Sequence, residues 1–305
     1  MARKLQIVFL SILAIVISYE LIGVATIGGA TYYLANIFFS ETVTPEGLIA
    51  KHKKTGSGIL VVPGHDKNNY GTQYRGVTEA SLNAELGGYL FEYFRNDPKF
   101  IAFITHKSTG ELNGWISDYI KKEDTAINAF REKTKFSFLD ALRIGAVKRE
   151  TQVHHNSATN DTAKTLYGIN KWANDNNIDI VLHLHFNDYP GRKYESIGKY
   201  KGFSIYIPDN QLPNHRASMG IAQSVRRELR KVEPESNFPR EKDIVIEDQE
   251  LIAIGSNASR TGVSILIEYG YIYESKLTNK NTRSAFLQQL AYQTYLGVKS
   301  FFEKN

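Results

Sequence analysis

The chain alternates short unbroken apolar runs with longer stretches in which apolar residues recur every three or four positions. Ile59-Leu60-Val61-Val62 is such a run, closed by Pro63-Gly64, and it reads as a buried strand. Thr78 is a good helix N-cap, and Leu82, Leu86, Leu90 and Phe94 follow at four-residue spacing. Residues 100–104, 178–186, 202–207 and 263–267 read as further strands, and 163–176, 217–232 and 284–302 as helices. Strands alternating with helices predict an α/β fold, a single mainly parallel sheet covered by helices on both faces. In such sheets ligands gather at the carboxyl ends of the strands.

The front of the chain follows a different pattern. Arg3 and Lys4 precede an apolar run over residues 5–19; Glu20 interrupts it, and residues 21–39 carry no charge. A helix needs roughly 20 apolar residues to cross a bilayer. This segment predicts a transmembrane anchor, with the positive N-terminus inside, or a signal segment cleaved near Gly28-Gly29-Ala30. Either places the remainder outside the cytoplasm, membrane-anchored or secreted. Residues 40–58, with Pro45, Gly47, Gly56, Gly58 and the Lys51-His52-Lys53-Lys54 cluster, read as a linker. The folded domain then spans 59–305, and 107–152 reads as a charged, partly helical insertion of open role.

Composition narrows the chemistry. The 305 residues include eight histidines and no cysteine, which excludes disulfides, thiolate metal sites and a thiol nucleophile. Any metal is held by histidine and carboxylate. Lys and Arg number 37 against 32 Asp and Glu, a net charge of +5, but the basic residues are scattered and form no nucleic-acid motif. Nucleic acid is therefore not an expected partner.

Five residues fall at or near the strand ends where such a rule looks for a site. His65 directly follows the first strand, and Glu79 opens the next helix, three residues before the inward-facing Leu82. His183 and His185 share one face of a strand. His185 lies nearer the carboxyl end and is the better ligand; His183, a step deeper, suits a core or supporting role. Glu268 closes the apolar strand at 263–267, either as the point where that strand meets water or as a carboxylate placed for proton transfer. His65, Glu79 and His185 form a two-histidine, one-carboxylate set, the ligand type of a catalytic zinc with an open fourth position. With Glu268 to move protons, the ensemble reads as metal-assisted hydrolysis of an amide. His154-His155, His52, His106 and His215 read as solvated histidines.

These segments resemble the zinc-dependent N-acetylmuramoyl-L-alanine amidases that cleave peptidoglycan. The resemblance is carried by Pro63-Gly64-His65, by Glu79 in Thr78-Glu79-Ala80-Ser81, by His183-Leu184-His185-Phe186-Asn187 and by Ile267-Glu268-Tyr269-Gly270-Tyr271, in order over residues 59–302. It implies zinc (Zn2+) held by His65, Glu79 and His185, catalysis by Glu268, and peptidoglycan as substrate. Asp66-Lys67, His183 and Tyr273-Glu274 depart from the family pattern around the cleft and leave the stem-peptide preference open. Some relatives carry a helix that blocks the zinc until a partner removes it, so 107–152 invites comparison with such a plug, and a protein activator stays unidentified. Two other readings stand beside this one: a zinc peptidase or other amidohydrolase acting on wall peptides, and a non-catalytic wall-binding or partner-activating module.

Overall fold

The computed structural model describes residues 43–150, 158–254 and 262–303. In chain order the elements are α1 (Pro45–Thr55), β1 (Ser57–Pro63), β2 (Gln73–Tyr74), β3 (Val77–Thr78), α2 (Glu79–Arg95), β4 (Phe100–Ile104), α3 (Gly114–Lys122) and α4 (Asp124–Arg143). There follow α5 (Asn160–Asp175), β5 (Ile180–Asn187), β6 (Ser204–Pro208), α6 (His215–Leu229), β7 (Val245–Asp248), β8 (Val263–Tyr271), α7 (Ser275–Thr278) and α8 (Arg283–Glu303).

Six strands form one sheet in the order β4-β1-β5-β8-β6-β7, and β2 and β3 form a small separate hairpin. The sheet is mainly parallel, as expected, but mixed. The β4–β1, β1–β5, β5–β8 and β6–β7 pairs are parallel, but β6 runs antiparallel to β8. A parallel neighbour needs a crossover that carries the chain back to the starting edge, usually a helix. The connection 188–203 contains no helix, so β6 starts at the edge where β5 ended and runs back.

Helices cover both faces, as expected. Successive residues of β1 show why: Ile59 and Val61 enter a core with Leu82, Ile221 and Leu290, contributed by α2, α6 and α8. Leu60 and Val62 point the other way, against Ile116, Ile127, Ile169 and Trp172 from α3, α4 and α5. A strand buried on both faces must be apolar throughout, which is why these runs lack alternation. Residues 107–150 thus supply α3 and α4, whose Ile116 and Ile127 are fully buried in the second core.

The stretch expected as linker holds helix α1 instead. Thr44 caps it, its Oγ1 accepting from Gly47 N at 3.0 Å, Pro45 opens the first turn and Glu46 sits at the positive end of the helix dipole. Leu48 and His52 are buried, and the His52 ring stacks on Phe302 of α8 at 3.9 Å. The apolar segment 1–39 lies outside the described residues. Among the described residues no helix is long and apolar enough to cross a membrane.

Candidate metal centre

Three strand ends and one helix start meet at the carboxyl edge of β1, β5 and β8. Beyond β1, Gly64 N donates to Leu184 O of β5 at 2.8 Å, which locks the turn against its neighbour strand. His65 takes the left-handed conformation, φ 63°, and so swings its ring back over the sheet edge. Asn83, one turn into α2, donates from Nδ2 to Gly64 O at 2.9 Å, a buried bond that ties this turn to the helix carrying Glu79.

Glu79 is the first residue of α2, beside the Thr78 cap whose Oγ1 accepts from Ser81 N at 3.2 Å. Its carboxylate is buried, 4 % exposed, and lies between the two histidines. Oε1 accepts from His185 Nδ1 at 2.8 Å and from Phe186 N at 3.3 Å. Oε2 accepts from Thr72 N at 3.0 Å and stands 3.3 Å from His65 Nε2. The His65 and His185 rings meet edge to face with centroids 5.2 Å apart.

Burial pushes the Glu79 carboxyl up, but the hydrogen bond and charge of His185, then His65 and the Thr72 N–H, outweigh it and hold the group below the ordinary carboxylate value. Burial also lowers the basicity of His65 more than Glu79 raises it. Both shifts favour the protonation states a metal needs, an ionised carboxylate and a neutral imidazole.

One ligand atom from each of His65, Glu79 and His185 lies within 4.8 Å of the others, so the three can hold a metal ion. Ligands of a tetrahedral zinc with bonds of about 2.0–2.1 Å stand roughly 3.3 Å apart, and the His65–Glu79 separation matches that. Two glycines leave room for the group. A Cβ on Gly64 would lie 2.2 Å from the His185 ring, and one on Gly71 would lie 2.3 Å from Glu79 Oε2.

Glu268 is the residue of β8 in register with His185 of β5 and with Ser204 of β6. Register partners point to the same face, so its carboxyl stands next to the three-residue cluster. Its Oε2 is buried without a hydrogen-bond partner. Burial, then the carboxylates of Glu79 and Glu241, push its proton affinity well above the ordinary value. His183 lies one step deeper, flanked in register by Val62 and Leu266. Burial drives its pKa down to about 3, so it is a neutral core imidazole.

The remaining histidines differ in part from expectation. His52 and His106 are buried rather than solvated, 8 % and 6 % exposed. His106 Nδ1 pairs with Thr105 Oγ1 at 2.9 Å. His215 Nδ1 bonds to Pro208 O at 2.9 Å. His154 and His155 lie outside the described residues.

Glu241, which no pattern singled out, is a buried carboxylate under the cleft. Its Oε1 accepts from Asn187 Nδ2 at 2.7 Å and Tyr206 OH at 3.0 Å, and its Oε2 from Tyr271 OH at 3.1 Å and Ser236 Oγ. It therefore ties together the ends of β5 and β8, the strands carrying His185 and Glu268. The only local hint is an acidic residue in an aperiodic loop, which is ordinarily solvated.

The family model described as N-acetylmuramoyl-L-alanine amidase matches residues 59–300. The chain belongs to that amidase family. No curated protein matches its sequence. Among solved structures, the amidase is similar to the CwlD amidase from Clostridioides difficile, solved in complex with the GerS lipoprotein. The two share 14% identity over 82% of this chain and 100% of that one, with a TM-score of 0.53. The catalytic domain of CwlV from Bacillus (Paenibacillus) polymyxa var. colistinus is 12% identical over 82% of this chain and 99% of its own, with a TM-score of 0.51. The apo form of Ami1 from Mycobacterium abscessus is likewise 12% identical, over 81% of this chain and 99% of its own, at 0.51. At these identities the neighbours show that the amidase shares their fold.

Proposed function

We propose that the amidase is zinc-dependent and hydrolyses the amide joining the lactyl group of N-acetylmuramic acid to L-alanine in peptidoglycan, outside the cytoplasm. What supports the reading is the convergence of His65, Glu79 and His185 within 4.8 Å, at the strand ends of a family member. In this reading 59–305 is the catalytic domain, His65, Glu79 and His185 hold the zinc, and residues 1–39 anchor the protein in the membrane or export it. Bound there, zinc supplies Lewis-acid polarisation of the amide carbonyl and a water whose pKa falls to about 7.

Glu268 moves the proton. Its carboxylate takes a proton from the attacking water as the new C–O bond forms, and delivers it to the alanine nitrogen as the C–N bond breaks. What supports that role is its register with His185 of β5, on the same face of the sheet. Glu79 stays ionised and orients His185 through the Oε1 contact, and Asn83 and Gly64 keep the His65 turn in place.

The test is incubation of the full chain with purified peptidoglycan, with and without a chelator, and mass analysis of what is released. The reading expects stem peptides with a free L-alanine amino terminus, lost with chelation and restored by zinc. Fragments cut within the peptide would favour a zinc peptidase, and no release at all a binding module.

A further inference from the structure

The connection between β5 and β6 carries a cation that the reaction does not use. The Arg192 side chain is only 4 % exposed. Its Nε and Nη2 donate to the two oxygens of Asp188 at 2.7 and 2.8 Å, Nη1 to Ser196 O at 2.9 Å, and Nη2 also to Gln73 O at 3.1 Å. The guanidinium lies over two rings, 5.7 Å from that of Tyr74 and 5.3 Å from that of Tyr273. The Tyr74 hydroxyl is buried without a hydrogen-bond partner, so at that residue it is the ring face that the fold uses. A partly buried ion pair is a weak source of stability compared with apolar packing, and its clearest use is to fix geometry.

The geometry being fixed leads to the metal cluster. Asp188 lies three residues beyond His185, and its Oδ2 accepts from Thr72 Oγ1 at 2.8 Å. Thr72 in turn grips Glu79 twice: its N–H donates to Glu79 Oε2 at 3.0 Å, and its carbonyl accepts from Glu79 N at 2.9 Å. Gly71 leaves no slack beside them, since even a Cβ there would overlap Glu79 Oε2. Any drift of the 70–72 loop therefore moves the carboxylate.

We propose that Arg192 is a positioning residue for the metal centre, holding the Glu79 carboxylate in its metal-binding pose through Asp188 and Thr72. The proposal rests on the zinc reading above. Supporting contacts of this kind typically change metal affinity about 10–100-fold when removed.

The test measures zinc affinity of the full chain by competition with a chromophoric chelator, alongside thermal unfolding of the zinc-free protein. Thr72→Val deletes only the hydroxyl link and is expected to bind zinc about 10–100-fold more weakly with unchanged zinc-free unfolding. Thr72→Ser, which keeps the hydroxyl, should bind like wild type. Arg192→Lys keeps the charge but loses the two-pronged grip on Asp188, and should weaken zinc by about 10-fold or more. Wild-type affinity in Thr72→Val, an equal loss in Thr72→Ser, or losses that only follow falling zinc-free stability would each overturn the clamp. A wild-type chain that takes up no zinc would instead bring down the underlying reading, and the clamp with it.

Discussion

Replacing Gly64 with alanine adds one methyl group where the fold has no room for it. The new Cβ would sit 2.2 Å from Cε1, 2.3 Å from Nε2 and 2.7 Å from Nδ1 of His185. Non-bonded carbons prefer about 3.5–4.0 Å, so ring and backbone must separate by more than about 1 Å. The backbone is held on both sides, by Gly64 N to Leu184 O and by Asn83 Nδ2 to Gly64 O, so the ring is the part that moves. Gly64 is not among the positive-φ glycines, and alanine therefore adds a clash without added backbone strain. Overpacking of this kind costs about 1–3 kcal/mol, or roughly 2–4 °C of Tm per kcal/mol for a domain of this size. The functional loss should be larger, since a 1 Å misplacement at a reacting centre can cost about 100-fold. Turnover on purified peptidoglycan and zinc affinity by chelator competition, measured beside Tm, separate the two effects. A folded Gly64→Ala protein with wild-type turnover and zinc affinity would refute the packing of His185 on this turn.

Three other outcomes follow from the site. Glu268→Gln should retain one zinc per chain and lose turnover by about 100-fold or more, as removal of a proton-transfer group does; retained activity in steady-state assays would mean that another group moves the proton. His185→Ala should lose zinc by metal analysis while His183→Gln keeps it, and the reverse pattern would exchange their roles. His106 is buried and neutral, its pKa lowered from 6.5 to about 4 by burial. Below 6.5 the unfolded chain therefore takes up a proton that the fold refuses, and stability falls with falling pH until about 4. The loss reaches roughly 3 kcal/mol, and urea unfolding of His106→Gln across that window should show a correspondingly shallower decline.

Much of the carboxyl edge of the sheet is readable from the amino acids because each piece carries a local signal. Buried strands leave unbroken apolar runs, and His65, Glu79, His185 and Glu268 each sit at an end of such a run or at a helix cap. Strand direction leaves no such mark: a five-residue apolar run reads alike whichever way it points, so the reversal of β6 was invisible. Helix α1 was hidden by its own polarity, since Pro45, Gly47 and the lysines that read as linker are also a helix start and a solvated face. The Thr72–Asp188 bond joins residues 116 positions apart, and Glu241 gathers partners from four separate segments. Contacts of that kind depend on the folded sheet and have no period along the chain. The burial of His52 follows the same rule, its ring lying against Phe100 and Phe302, both distant in sequence.

Where a metal binds decides most directly between these roles. Crystals of the full chain grown with zinc, measured at the zinc absorption edge, locate the ion by its anomalous signal. A single strong peak is expected within bonding distance of His65, Glu79 and His185, about 2.0–2.2 Å, with Glu268 beside it and not a ligand. A peak that omits any of the three, or one that takes His183 or Glu268 as a ligand, would contradict that assignment.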